Sequence, residues 1–349
     1  MKRKLLYLFL GFSLFLILGS FFSYLFLLYN LQKKKEVHDV IFEIRLGEDL
    51  ISIARRLHNL GLIDNHVVFY ILSKKHYKDF KAGEYALDGF ISIQDLIDMF
   101  KLGSNFRRDI TVIPCWTIYH IADELINKGI IYDRDEFIKY SFDRDFLRKI
   151  GLDYPSVEGF LYPDKYFFFK GTHPKDIIAK MVENFFVKLG KERIQMLEKS
   201  QMGLYKSLIL ASIIESEAQF EFEKPIISSV YLNRMKIGMP LQADPTVMYG
   251  LKIFTRPPKP SDFKIDNEYN TYTRRGLPPT PICNPIVSSL DAVLKPKKTK
   301  FLYFVARPDG THFFSETYDQ HLKSIERSKY ERALKKVDNR EILPDYPSD

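Results

Sequence analysis

One carboxylate within an apolar helical segment is the side chain of this protein that is best suited to acid chemistry. Glu215 follows residues 208–214 (LILASII), which offer an ionised carboxylate no obvious partner. Moving a bare carboxylate from water into apolar surroundings is costly, and the group is often protonated through a raised pKa instead. We therefore expect Glu215 to be a working acid, and a helix-edge carboxylate paired with a distant arginine is the alternative.

A second glutamate lies two residues further on and is not predicted to act with the first. With about 100° of rotation per helical residue, Glu215 shares a face with Ala211. Glu217 points nearly opposite, toward Lys206 and Lys224. This spacing predicts a solvated or salt-bridged Glu217 and no carboxylate pair.

Polar side chains suited to sugar binding follow the acid in two segments, 231–250 and 269–272. Amides and acids hydrogen-bond sugar hydroxyl and N-acetyl groups, while aromatic rings pack on sugar faces. Together with one glutamate upstream, these segments predict a sugar site. Its candidate residues are Glu158, Asn233, Arg234, Gln242, Asp244, Asn270, Thr271 and Tyr272.

Metal, nucleotide and serine-nucleophile chemistry is not indicated. The sequence contains no HExxH, P-loop, GxGxxG or GxSxG motif, and its eight histidines lack ligand spacing. Of these, His312 is expected to make a structural hydrogen bond rather than to transfer protons. Cys115 and Cys283 have no metal-ligand spacing, and two buried thiols are favoured over a disulfide. We predict no metal and no cofactor.

The charge balance argues against nucleic-acid binding. The chain of 349 residues carries 52 Lys and Arg against 44 Asp and Glu, a formal net charge of +8. Six basic residues flank one apolar segment, and without them the net charge is +2. The six are Lys2, Arg3, Lys4, Lys33, Lys34 and Lys35. Because the rest of the chain is nearly neutral, no nucleic-acid surface is predicted.

The apolar segment itself, residues 5–28, is uncharged and long enough to cross the ~30 Å hydrocarbon layer as one helix. A signal peptide is the alternative, but this segment exceeds the ~7 to 15 residue core of such peptides, and no small-x-small cleavage pattern follows. We therefore predict a membrane anchor. The basic residues at its two ends nearly balance, so the positive-inside rule does not choose an orientation.

A strand, a glycine turn and an amphipathic helix closed by glycine are predicted over residues 42–61, and the same pattern recurs over 112–129. The two copies match at a constant offset of 68 positions. The matching pairs are Ile53 and Ile121, Ala54 and Ala122, Leu57 and Leu125, and Gly61 and Gly129. Such units resemble LysM-type modules, which bind N-acetylglucosamine-containing glycans; a packing unit without a ligand is the alternative.

The remaining elements place the candidate residues within an α+β protein. Between the two copies, a strand over 83–87 and a helix capped by Ser92 are predicted. Further along, the aromatic segment 156–169 is predicted to be a strand entered through the Pro163-Asp164 turn. The pattern then predicts helices over 176–189 and 226–235, and an ordered loop from Pro240 onward. A hairpin, 301–305 with 312–315, is predicted next, and a charged helix after about Arg327 runs into a proline-rich end.

Several motifs together resemble one family, the endolytic murein transglycosylases of bacteria, also called the MltG or YceG-like proteins. The resemblance extends from about residue 42 to residue 321 and is strongest from residue 208 onward. The motifs are ASIIESE at 211–217, NRMKIGM at 233–239, LQADPTVMYG at 241–250, YNTY at 269–272, GLPP at 276–279 and YFV at 303–305.

The resemblance implies cleavage of the β-1,4 bond between N-acetylmuramic acid and N-acetylglucosamine in nascent peptidoglycan, which leaves 1,6-anhydro ends and stops glycan elongation. It implies that Glu215 is the catalytic glutamate. One carboxyl group suffices, because it first protonates the glycosidic oxygen and then accepts the proton of the muramyl 6-hydroxyl. A hydrolase would need a second carboxylate about 5 to 10 Å away.

The resemblance also implies a location and partners. The N-terminus would lie in the cytoplasm, one helix would cross the bacterial inner membrane, and the catalytic domain would lie outside, in the periplasm. Glycan strands are the implied substrate, and peptidoglycan synthases of the elongation or division machinery are candidate partners. The corresponding domains are residues 1–35 for the N-terminus and anchor, 36–105 for a LysM-like glycan-binding module, and 106–349 for the catalytic domain, with the second strand-helix module at about 106–150.

Two departures from the family pattern are Pro114-Cys115-Trp116-Thr117, where an acidic residue is missing, and Pro163-Asp164-Lys165-Tyr166, where lysine replaces a hydroxyl-bearing residue. Two other functions stay open. One is a hydrolytic muramidase that uses Asp244 or Glu217 as its second carboxylate. The other is a non-catalytic scaffold for peptidoglycan synthesis.

Overall fold

The computed structural model describes residues 2–341, with side chains for residues 7–335. These residues form two compact units. Unit 1 comprises the chain up to Arg108 together with Phe167–Gly171, and unit 2 comprises Asp109–Tyr166 and the chain from Thr172 onward. Helices and short antiparallel strands occur in both, so the predicted mixture of α and β structure is confirmed.

Unit 1 begins with α1, Lys2–Gln32, and continues as strand, two helices, strand and helix. Its elements are β1 (Lys35–Ile44), α2 (Leu50–Asn59), α3 (His66–Ser73), β2 (Gly83–Ile91) and α4 (Ile93–Leu102). β1 and β2 pair antiparallel, with Phe42 opposite Tyr85. The apolar sides of α2, α3 and α4 cover this two-stranded sheet and complete one core.

Local signals explain the helices of unit 1. The Asp49 side chain accepts a hydrogen bond from the Ser52 backbone N–H and begins α2, and Ser92 with Asp95 forms a capping box at α4. Leu57 and the other core-facing residues of α2 are buried. The helix α1 differs, because its segment Tyr7–Gln32 has a mean hydropathy of 2.0 and none of it is buried. It is long and apolar enough to cross a membrane.

Unit 2 is mainly helical. Its helices are α5 (Ile118–Asn127), α6 (Arg134–Ser141), α7 (Arg144–Lys149), α8 (Pro174–Lys199), α9 (Gly203–Glu217), α10 (Lys224–Lys236), α11 (Asp244–Gly250), α12 (Val287–Leu294) and α13 (Tyr318–Glu341). Gly190 interrupts α8 with φ of 76°, which explains the kink there. The strands β3 (Arg108–Thr111) and β4 (Lys165–Phe168) lie where the chain passes between the units.

The second copy of the strand-helix pattern forms the predicted helix, α5. Thr117 caps it, and Ile121, Ala122 and Leu125 are fully buried, as are their counterparts in α2. The closing hairpin is also observed, since β5 (Tyr303–Ala306) pairs antiparallel with β6 (His312–Ser315). Repeated apolar spacing was therefore a reliable guide to these elements.

Two helices occur where the sequence predicts only ordered loop. α11 begins at Asp244, and α12 begins at Val287. Both are short. Pro245 lies in the first turn of α11, where its missing N–H needs no helical partner, and Pro285 precedes α12. The last helix also begins earlier than predicted, at Tyr318, and the predicted proline-rich end lies outside the described residues.

Candidate active site

The helix α9 is the centre of unit 2 and carries both glutamates at its end. Every residue from Ser207 to Ile214 is buried, because α8, α10, α11 and α12 pack around it. The helix stops at Glu217, and Ala218 is extended, with φ of −85° and ψ of 122°. Beyond this buried stretch, the last turn of α9 reaches polar surroundings.

Glu215 is paired, so the prediction that it lacks a partner is wrong. Lys224 Nζ lies 3.3 Å from both of its carboxylate oxygens, and the two side chains are only 3% and 6% exposed. The Ser289 hydroxyl and the Ile286 backbone N–H also donate to Oε2, at 2.6 and 3.2 Å. Glu215 thus joins α9 to the start of α10 and to the start of α12.

This environment does not suit a residue that must deliver a proton. In every hydrogen bond described for Glu215, its carboxylate is the acceptor. One of the donors is the buried ammonium group of Lys224. Lys224 was expected beside Glu217 by extending one helix through both residues. The prediction failed because the chain reverses after Ala218, so Lys224 begins a new helix.

Glu217 lies in a cleft and has the properties first assigned to Glu215. Its side chain is partly exposed, and the Tyr231 hydroxyl donates a hydrogen bond to its Oε1 at 2.9 Å. Burial raises the pKa of Glu217 to about 7, and the charge of Asp244 adds to the rise, while the Tyr231 hydrogen bond and Arg234 lower it. A carboxyl group with such a pKa is partly protonated at neutral pH.

The cleft has a volume of about 360 Å³ and is lined by α9, α10, the start of α11, the β5–β6 hairpin and α13. Polar side chains with both charge signs line it, together with apolar groups of β5. The lining residues are Glu217, Arg234, Leu241, Gln242, Asp244, Tyr272, Phe304, Val305, Ala306, His312, His321 and Arg332. Four of the predicted sugar-binding residues are among them.

Two of these four are exposed at the cleft and can meet a ligand. Asp244 accepts a hydrogen bond from the Tyr272 hydroxyl, so both side chains have fixed orientations. Gln242 is exposed, and its backbone has φ of 49°. A carboxylate, an amide and a phenol at one side of a cleft provide the donors and acceptors that sugar hydroxyls need.

Arg234 lines the cleft but is held by the protein. Its guanidinium donates to the carbonyl oxygens of Leu241 and Leu302, at 2.7 and 2.6 Å, and the residue is buried. The Asn233 amide donates to the carbonyl oxygens of Thr299 and Phe301, each at 3.0 Å. These two side chains therefore hold the segments around β5 against α10.

Asn270 and Thr271 are buried within their own loop. The Asn270 amide donates to the carbonyl oxygens of Phe263 and Ile265. The Thr271 hydroxyl accepts from the Ala243 backbone N–H at 2.9 Å. Both side chains shape the loops that carry Gln242, Asp244 and Tyr272, and neither lines the cleft.

Glu158 is fully buried elsewhere in unit 2. It accepts hydrogen bonds from the Ile118 backbone N–H at the start of α5, from the Tyr249 hydroxyl at 3.0 Å and from the Asn284 amide at 3.0 Å. These bonds favour the carboxylate, but burial outweighs them and raises the pKa of Glu158 to about 8. Glu158 joins three chain segments and does not line the cleft.

Two histidines that were not among the predicted sugar-site residues, His312 and His321, also line the cleft. His312 Nδ1 lies 2.9 Å from Glu223 Oε2, which agrees with the structural hydrogen bond expected for it, and Glu223 also accepts from the His312 backbone N–H. His321 stacks on Tyr303, and its Nδ1 is buried without a hydrogen-bond partner among the described residues. Their place in the hairpin and the helix after it was the only sequence signal.

A glutamate with a pKa near neutrality, in a cleft rich in hydrogen-bonding groups, is typical of enzymes that act on sugars. Comparison with known proteins identifies the family. The sequence profile of the YceG-like family matches residues 42–327 of the chain. The chain belongs to the YceG-like family.

Two similar proteins are both named for one enzyme activity. The chain is 31% identical to the endolytic murein transglycosylase of Bacillus subtilis (strain 168), over 89% of this chain and 91% of that protein. It is 25% identical to the endolytic murein transglycosylase of Streptococcus pneumoniae, over 91% of this chain and 64% of that protein. These names confirm the predicted enzyme class, lytic transglycosylase.

A solved structure is similar as well. The crystal structure of a YceG-like protein from Listeria monocytogenes matches with a TM-score of 0.58 and 31% sequence identity. The match covers 82% of this chain and 98% of that one. The family resemblance stated from the sequence motifs is therefore confirmed.

Proposed function

We propose that this protein is a murein lytic transglycosylase that cuts glycan strands of peptidoglycan internally and leaves 1,6-anhydro-muramyl ends. The observation that supports this most is Glu217, which combines access to a cleft with a pKa of about 7. The names of the relatives supply the substrate class. Cutting a nascent strand in this way would end its elongation.

In this mechanism Glu217 is both acid and base, and Glu215 is structural. Protonated Glu217 gives its proton to the glycosidic oxygen as the bond to the muramyl C1 breaks. The resulting carboxylate then accepts the proton of the muramyl 6-hydroxyl, whose oxygen closes on C1. The Tyr231 hydroxyl holds one carboxylate oxygen throughout, so the other is left for the substrate.

The substrate contacts in this proposal are Gln242, Asp244 and Tyr272 on one side of the cleft and His321 on the other. His321 has a pKa lowered by burial and by the charge of Arg234, so it is a neutral donor or acceptor near pH 7. The other predicted site residues act indirectly. Arg234, Asn233, Asn270, Thr271 and Glu158 hold the walls and loops through bonds to the protein itself.

A hydrolytic muramidase is the second candidate, because one observation favours it. Asp244 lines the same cleft as Glu217, and its charge contributes to the raised pKa of Glu217. Two carboxyl groups across a glycosidic bond are the usual arrangement in hydrolases. In that case Asp244 would activate a water molecule, and the product would carry an ordinary reducing end.

The test digests isolated glycan strands with the full-length protein in detergent and weighs the products. Anhydro ends are lighter than hydrolysed ends by one water molecule, so the masses separate the two reactions. Glu217→Gln should lower the cleavage rate at least about 100-fold. Glu215→Gln, two residues away, is the matched control and should retain cleavage per folded molecule.

Three results would contradict the proposal. Products that carry added water would favour the hydrolase. Loss of cleavage in Glu215→Gln but not in Glu217→Gln would show that Glu215 is the general acid. A protein without cleavage activity, whose Glu217→Gln variant supports normal growth, would favour the scaffold function.

Unit 1 is proposed to contact glycan as a LysM-like module. Its strand-helix-helix-strand order and antiparallel strands agree with the resemblance seen in the sequence. A groove lies at the turn from β1 to α2, where Leu46 is 94% exposed beside Arg45 and Arg55. Leu46→Ser should weaken retention on insoluble peptidoglycan. Leu102→Ser, at an 80% exposed leucine of the same unit, is the control and should not.

The helix α1 is proposed as a single membrane anchor, with the N-terminus in the cytoplasm and both units in the periplasm. Its length and mean hydropathy support the span, and the family resemblance supports the orientation. Protease added to intact spheroplasts should digest units 1 and 2. Protection of both units until the membrane is disrupted would reverse the orientation. Peptidoglycan synthases stay candidate partners.

A further inference from the structure

Two cysteines far apart in the sequence meet in unit 2. Cys115 lies just before α5 and Cys283 just before α12, and their Sγ atoms are 2.7 Å apart. That is closer than two sulfur atoms normally approach without a bond. Cys283 is buried, and Cys115 is partly exposed.

The backbone holds the two cysteines together independently of the sulfur atoms. The Cys115 N–H donates to the Asn284 carbonyl at 3.0 Å, and the Asn284 N–H donates to the Trp116 carbonyl at 2.9 Å. The Asn284 side chain adds a third bond, because its amide donates to the Trp116 carbonyl at 2.8 Å. The pair is thus positioned by the fold before any covalent bond forms.

The conformation of Cys115 is a second, independent observation. Its φ is 65°, a left-handed value that side chains other than glycine, asparagine and aspartate rarely adopt. Glycine would fit this turn without strain. A cysteine at a turn that suits glycine, with its sulfur against another cysteine, gains most if the two sulfur atoms bond.

We propose that Cys115 and Cys283 form a disulfide that fastens the segment before α5 to the segment before α12. The oxidant is a disulfide, either of a thiol–disulfide oxidoreductase or of a small thiol. Cys115, the accessible partner, attacks as the thiolate and forms a mixed disulfide, releasing one thiol of the oxidant. Cys283 then attacks the Cys115 sulfur and releases the second thiol, so that two cysteine thiols are oxidised and one external disulfide is reduced.

The position of Cys283 gives the bond a structural consequence. Its Sγ lies 3.4 Å from the Ser212 carbonyl oxygen of α9, and the Ser212 hydroxyl accepts from the Ile282 N–H at 3.0 Å. Cys283 is buried and Cys115 is partly exposed, so Cys115 is the sulfur that thiols in solution can reach. The disulfide would therefore stabilise the segment before α12, which contacts α9, the helix that carries Glu217.

The test equilibrates the full-length protein in detergent with oxidised or with reduced glutathione, denatures it, alkylates it with N-ethylmaleimide and measures its mass. We expect no adduct after oxidised glutathione and two after reduced glutathione. The thermal midpoint of the oxidised protein should be higher by about 5 to 10 °C. Two adducts in both samples, or a stable glutathione adduct, would overturn the proposal.

Two variants serve as controls. Cys115→Gly keeps the left-handed backbone and removes one sulfur, and Cys283→Ala removes the other. The thermal midpoint of each should be the same in oxidised and reduced glutathione. If either variant kept the full shift of the unaltered protein, the shift would not come from this disulfide.

Discussion

Glu215 and Glu217, two residues apart at the end of α9, have opposite electrostatic surroundings. Glu215 is bound by the ammonium group of Lys224 and by two further donors, whereas Glu217 has one phenol donor and the nearby charge of Asp244. The first arrangement is a buried ion pair, and the second favours a carboxyl group that titrates near neutrality. The same helix end thus supplies a structural ion pair and a candidate acid.

Cleavage should decline as the pH rises above about 7. The general acid must be protonated, and the pKa of Glu217 is about 7, so the active fraction falls about tenfold per pH unit well above that value. The pH dependence of kcat/KM on isolated glycan strands would measure this limb. An alkaline limb near pH 4.5 would show that Glu217 is not the acid.

Tyr231→Phe should move the alkaline limb to higher pH. The Tyr231 hydroxyl stabilises the charged form of Glu217, so its removal raises the Glu217 pKa, by roughly half to one pH unit. Tyr85→Phe in unit 1 removes a hydroxyl that donates to the Lys81 carbonyl and is the matched control. A shift to lower pH in Tyr231→Phe would contradict the assigned hydrogen bond.

Asp244→Asn should move the same limb in the opposite direction. The negative charge of Asp244 raises the pKa of Glu217, so an uncharged amide lets that pKa fall. The Michaelis constant should also rise, because Asp244 is a proposed substrate contact. Asp98→Asn, on the exposed surface of α4, should change neither quantity. An unchanged limb in Asp244→Asn would mean that the two carboxyl groups do not interact.

Glu215→Gln should destabilise the fold. The variant leaves Lys224 buried, with the exposed Glu221 as its remaining acidic partner, and breaking a buried ion pair costs about 3 kcal/mol. Denaturant unfolding measures the loss. Lys224→Met should cost a similar amount, because it leaves the Glu215 carboxylate buried. A Glu215→Gln variant as stable as the unaltered protein would contradict the structural role of Glu215.

Glu158 should make stability depend on pH. Its folded-state pKa of about 8 exceeds the ordinary value of 4.5, so the folded state binds more protons between these values. Its contribution is fully present below about pH 4.5 and is lost as the pH rises through 8, at up to about 1.4 kcal/mol per pH unit. The Glu158→Gln variant should be less stable, but its free energy of unfolding should change less with pH in this window. An unchanged pH dependence would contradict the raised pKa.

Local patterns predicted most elements because short-range forces decide them. Ser92 and the apolar spacing of α4 act within one helix, and the repeated Ile, Ala and Leu positions of α2 and α5 face cores in both copies. The helices α11 and α12 were missed because proline occurs both in turns and at helix starts. Packing against α9 decides between the two.

The sequence predicted which residues surround the candidate site better than it predicted what each residue does there. Gln242, Asp244 and Tyr272 line the cleft, whereas Asn233 and Asn270 bind backbone carbonyl groups instead. An amide has the same hydrogen-bonding capacity in either place, so residue type and spacing cannot distinguish a ligand contact from a structural bond. Asn233 lies 66 and 68 positions along the chain from its two partners.

The sequence by itself determined the apolar helix that ends in two glutamates, the polar segments after it and the family to which they belong. Only the tertiary structure decided which of the two glutamates is paired with a lysine. The chain reverses after Ala218, and this brings Lys224 to Glu215 and leaves Glu217 open to the cleft. A carboxyl group's pKa depends on burial and on charges nearby in space, and neither can be read from neighbours in sequence.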